Sequence, residues 1–141
     1  MRWFRASLVV VASFGVGLSV AWLLGQAAQD LLAPDVPRPL ANRPEDVRAF
    51  LQALPPPAHA ARLMAHGLGV FLAVAGARRI LPQRRLEAWT VAAMFAATSL
   101  AEAWVVQGPS PLAVAHVVTV LPGAWMGLRF TECRLAGGRN A

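Results

Sequence analysis

Four stretches of the chain are apolar and about long enough to cross the ~30 Å hydrocarbon core of a bilayer, which constrains the fold more than any motif does. They cover residues 6–28, 63–77, 88–106 and 112–128. The second is short, but Arg62 and Arg78 bound it, and their long stems can snorkel to the interfaces. The fourth is bounded by Pro111 and Arg129. Only 14% of the side chains are charged and 57% are hydrophobic, whereas an average soluble domain carries about 25% charge. The single cysteine, Cys133, excludes a disulfide scaffold. The reading is a single membrane domain, residues 1–141.

The expected fold class is all-α, a four-transmembrane-helix bundle. Its helices should cover about 6–32, 59–81, 86–107 and 112–131. An outer loop over 33–58 should carry a short interfacial helix at about 43–54. The start, Arg2-Trp3-Phe4-Arg5 before apolar residues, has the look of a signal peptide, and Gly25-Gln26-Ala27 would serve as its cleavage site. Its apolar run exceeds the usual 7–15 residues, so it reads as the first membrane helix and not as a cleaved segment.

Thirteen arginines, no lysine and seven acids give a net charge of +6. In a soluble protein that would suggest nucleic acid. Here the arginines sit at the ends of apolar runs, and no nucleic-acid partner is expected. With the N-terminus inside, Arg2, Arg5, Arg78, Arg79, Arg84, Arg85, Arg129, Arg134 and Arg139 are cytoplasmic, against Glu87 and Glu132. Outside, Arg38, Arg43, Arg48 and Arg62 balance Asp30, Asp35, Glu45 and Asp46. The positive-inside rule then puts both termini in the cytoplasm of a bacterial inner membrane. Trp3 and Trp89 fall at the inner interface and Trp22 and Trp104 near the outer one, as an aromatic belt requires, with Trp125 deeper.

The first outer loop holds seven of the eleven prolines between residues 34 and 58, which makes it stiff. Within it Asn42 and Glu45 have capping-box spacing. Val47, Phe50, Leu51 and Leu54 then recur at i, i+3, i+4 and i+7, giving one apolar face until Pro55-Pro56-Pro57. That face suits either a membrane surface or partner, or the chain's own bundle.

Three ionisable side chains, His66, Glu102 and His116, lie within the apolar segments at similar depth near their outer ends. Intramembrane ionisable groups are costly unless paired. Three readings stay open: helix glue through His–Glu hydrogen bonds, a proton or ion path, or a cofactor site in which His66 and His116 ligate a haem. Small residues mark close packing: Ser13, Gly17, Ala21 and Gly25 in the first segment, Gly69, Ala73 and Ala77 in the second, Gly123 and Gly127 in the fourth. The Gly17 stripe is a candidate surface for a partner. Pro122 should kink the fourth helix. Ala65-His66 and Ala115-His116 each precede an arginine by thirteen residues, Arg79 and Arg129, a faint echo of duplication.

No Cys-x-x-Cys, phosphate loop, HExxH, GxSxG or paired membrane carboxylates occur, so no catalytic residue, no metal site and no enzyme are expected. Three motifs resemble a group of small bacterial four-helix integral membrane proteins of unknown function. They are Pro44-Glu45-Asp46 leading to Ala53-Leu54-Pro55, then Ala65-His66-Gly67-Leu68-Gly69, and Pro109-Ser110-Pro111. Where that group often has Asn near the outer end of the third helix, this chain has Glu102. The resemblance implies a fold and a membrane location, and no activity. The function expected is a non-catalytic accessory subunit of a larger inner-membrane complex, respiratory or photosynthetic. It would contact the bilayer and partner subunits, require no cofactor, and leave room for a bound lipid or pigment. The tail 136–141, of a kind that does not order without something to dock on, supports a partner. The alternatives are a small transporter or channel using the His/Glu layer, and a haem-binding subunit.

Reporter fusions test the topology. Those at Arg84 and Ala141 should report cytoplasm and one at Arg43 the outside; any other pattern overturns the four-span model.

Overall fold

The computed structural model describes residues 2–39, 43–102, 104 and 111–137. Among them there are five helices and no strand: α1 (Arg2–Leu32), α2 (Pro44–Ala53), α3 (Pro56–Ile80), α4 (Arg85–Glu102) and α5 (Pro111–Gly137). Of these, α1 and α3 are long and apolar enough to cross a membrane.

Several boundaries differ from expectation. Nothing in Arg2-Trp3-Phe4-Arg5 breaks a helix, so α1 starts at Arg2 and not at residue 6. Proline disrupts helix interiors but suits the first turn, whose N–H groups have no partner. Accordingly α3 begins at Pro56, α2 at Pro44 and α5 at Pro111. The three consecutive prolines thus separate α2 from α3 by only two residues. Pro122 lies inside α5, which runs on to Gly137 instead of ending near 131. Asn42 lies outside the described residues, as do 105–110 and 138–141, and the N-cap of α2 is Arg43, without a side-chain cap.

The four long helices form a bundle in which α3 touches α1, α4 and α5, and α4 also touches α1 and α5. Helix direction alternates. On α1 Gly17 meets Gly69 and Ala73, and Gly25 approaches Arg62, so α1 and α3 are antiparallel. On α5 Gly123 meets Gly67 and Val70, and Gly127 meets Phe71 and Val74, so α3 and α5 run parallel. The Phe14 and Phe95 rings pack edge to face at 4.9 Å, and Arg84 lies 5.6 Å over the Trp3 ring, which sets α4 parallel to α1. An Arg85–Glu132 ion pair of 2.9 Å joins the start of α4 to the end of α5.

Small residues set these spacings. A Cβ built on Gly17 would lie 2.5 Å from the Gly69 carbonyl oxygen and 2.6 Å from Ala73 Cβ. One on Gly123 would lie 2.7 Å from the Gly67 carbonyl. Gly17 therefore faces inward, which corrects the idea that its stripe receives a partner. Between the helices the core is apolar and, Phe95 apart, made of alanine and valine: Val70, Ala73, Val74, Ala77, Ala88, Val91, Phe95, Val120 and Ala124.

A second cluster lies at one end of the bundle. Leu51 and Leu54 are buried with Ala33, which follows α1, and Ala58 in α3, and Val47, Phe50 and Val36 pack around them. The apolar face of α2 is thus spent on its own chain. At the opposite end, Arg78 is buried and donates to the Pro82 carbonyl, closing the turn from α3 to α4.

Two alanine substitutions on α1 test the glycine contact. Gly17→Ala should destabilise the fold by about 1–3 kcal/mol through overpacking against a backbone carbonyl. Gly15→Ala, with open space around it, should leave stability unchanged or slightly raised. Detergent-titrated unfolding reads both, and equal effects would overturn the packing.

Candidate functional site

Because helix direction alternates, the ends of α1 and α4 meet the starts of α3 and α5 at one pole of the bundle. A half-open cleft of ≈160 Å³ lies there, with walls from all four long helices. Trp22 and Gln26 come from α1, Arg62 and His66 from α3, Glu102 from α4 and His116 from α5. His66, Glu102 and His116, singled out by sequence, therefore share one cavity. His116 is buried, His66 half-buried and Glu102 exposed at the mouth.

The floor is built from the histidines. His66 Nε2 lies 2.9 Å from Ser99 Oγ, a hydrogen bond in which the hydroxyl donates or accepts according to the imidazole tautomer. The His66 and His116 rings meet edge to face at 5.6 Å and 72°. Axial haem ligation needs both imidazole nitrogens aimed at one iron from opposite faces of a macrocycle, so the rings would have to part and turn to admit one. Among the described residues, no group of three His, Cys, Asp or Glu side chains is placed to hold a metal ion.

Arg62 from α3 and Glu102 from α4 bring opposite charges to the lining of the same cleft. Gln26 Oε1 is buried without a hydrogen-bond partner. Below the floor the cleft is blind. The Phe95 ring packs at 5.7 Å from His66 and is fully buried, and Val70, Val74 and Val91 continue the apolar core beneath it.

Three contributors were not singled out by sequence. Ser99 lies three residues before Glu102, on the same helix face, and that spacing was the available signal. Arg62 read as a helix-end residue, and Gln26 as part of a candidate cleavage site. The packing residues Gly17, Ala21, Gly69 and Ala73 bring α1 onto α3 beneath the cleft. Gly123 and Gly127 seat α5 on the other side of α3. Trp125 lies on the outer surface of the bundle, with Arg129 5.5 Å over its ring.

No family model matches the chain, no curated protein matches its sequence, and no solved structure matches it.

A double-mutant cycle measures the floor. Ser99→Ala should cost about 0.5–1.5 kcal/mol, the usual net contribution of an intramolecular hydrogen bond. In a His66→Phe background most of that cost should vanish. Zero coupling would mean the pair adds nothing to stability.

Proposed function

We propose that this chain is a non-catalytic integral membrane subunit: four spans in a bacterial inner membrane, both termini cytoplasmic, packed within a larger assembly. The observation that carries the membrane reading is the inversion of the surface. Phe4 is 76% exposed, Met64 76%, Leu86 75% and Leu121 65%, one on each long helix, while alanine, glycine and valine fill the interior. In water such an exterior would be costly. In lipid it is the favourable one, and close packing of small residues supplies the association energy.

The hydroxyls support the same reading. Ser19, Thr90 and Thr98 face outward and donate to the carbonyls of Gly15, Leu86 and Met94 one turn back in their own helices. Lipid offers a polar group no other partner. The Arg85–Glu132 and Arg84–Glu87 pairs, with Arg78 and Arg79, gather at one pole, where the positive-inside rule expects the cytoplasm.

Support for a partner comes from the lipid-facing side. A groove of ≈470 Å³ between α3 and α5 is lined by Met64, Gly67, Leu68, Phe71, Pro122 and Met126, almost wholly apolar. A foreign helix meeting Gly67 there could approach closely. The rival reading, a transporter or channel, rests on the polar cleft. Because Phe95 closes its floor, the cleft supports binding better than conduction.

Native gels of solubilised membranes test the proposal. The wild-type chain should comigrate with a large complex, and Leu68→Trp in the groove should release it while leaving its helicity intact. Migration of the wild type at its own mass would overturn the subunit reading.

A further inference from the structure

We propose that the cleft at the α1–α4 pole binds a compact zwitterion, a primary ammonium joined by a short linker to an oxyanion, as in phosphoethanolamine. Opposite charges in the lining of one cleft, Arg62 and Glu102, select for this. An anion alone could pair with the Arg62 guanidinium but would confront the Glu102 carboxylate, and a cation alone would face the reverse. A ligand carrying both signs satisfies each wall, with charge-assisted hydrogen bonds at both ends.

The buried, unpartnered Gln26 Oε1 sharpens the choice. A buried acceptor without a donor is costly, which favours an occupant that brings an N–H or O–H. A primary ammonium has three N–H groups, while a trimethylated one has none and would leave the oxygen unsatisfied. Size agrees. A cleft of ≈160 Å³ falls below the ~300–1,000 Å³ of sites for drug-sized ligands, so it suits a headgroup. The blind floor at Phe95 keeps such a ligand at the pole instead of passing it through.

This chemistry has two sources, an aminophospholipid headgroup or a free solute. The lipid source rests on the membrane reading above; the free-solute source does not. Trp22, on the cleft wall and 62% exposed, provides the reporter once Trp3, Trp89, Trp104 and Trp125 are changed to Phe.

The full chain in micelles is titrated with dihexanoyl phosphatidylethanolamine, phosphatidylcholine, phosphatidylglycerol and free phosphoethanolamine. Trp22 fluorescence should saturate with phosphatidylethanolamine, and the choline and glycerol lipids should bind about tenfold more weakly. Arg62→Gln and Glu102→Gln should each weaken binding about tenfold, with helicity by circular dichroism unchanged. Should either variant misfold, protection of Arg62 from phenylglyoxal in the unsubstituted chain gives the same reading. Equal titration by all three lipids, or Gln variants that bind like the parent, overturns the site. Saturation by free phosphoethanolamine at the same concentration supports a solute, and saturation by the lipid alone supports the headgroup. If neither saturates, the proposal fails. If phosphoethanolamine binds while the topology reporters disagree with four spans, the site stands and the membrane reading falls.

Discussion

The backbone approach of α1 and α3 at Gly17 and Gly69 is the contact on which the rest of the bundle depends. Each glycine's missing Cβ leaves the space that the other's carbonyl oxygen fills, 2.5 Å from where the carbon would lie. Around it pack the Ala21 and Ala73 methyl groups and the tip of the Phe95 ring, so the geometry allows little adjustment. With α1 fixed this close to α3, the Phe14 and Phe95 rings meet and α4 is held against both helices. Gly123 and Gly127 perform the same service for α5 on the other flank of α3.

The cleft follows from that arrangement. The helices are tightly apposed at Gly17, whereas two turns further on a Cβ built on Gly25 would lie 4.0 Å from Arg62 Cγ, ordinary van der Waals contact. The gap between α1 and α3 opens where Trp22, Gln26 and Arg62 replace glycine and alanine. Polar groups collect where side chains rather than backbones separate the helices. Phe95 marks the boundary, with one edge against Phe14 in the apolar core and another against His66 in the polar floor.

The helices and their small-residue faces were legible because length, hydropathy and four-residue spacing are local properties. His66, Glu102 and His116 were legible as one layer because alternating direction converts sequence position into depth. Ser99 was not, since serine is ordinary in an apolar helix and only its register against His66, 33 positions away, gives it a role. The direction in which the Gly17 stripe faces was likewise hidden, because a stripe looks the same whether its partner is the same chain or another. The short helix illustrates the same limit. Its apolar face could be read from Val47, Phe50, Leu51 and Leu54, but its docking against Ala33 and Ala58 is a tertiary fact.

The α1–α3 contact also has a consequence for biogenesis. The tightest helix pair is formed by the two long helices nearest the N-terminus, and α2 clasps their adjoining ends through Ala33, Leu51, Leu54 and Ala58. During synthesis this hairpin can close before Arg85 has left the ribosome. The later helices are less suited to lipid on their own, since α4 carries Arg85, Glu87 and Glu102 and α5 carries His116 and Pro122. They would emerge beside a finished apolar template, and the order of translation then does part of the work of assembly.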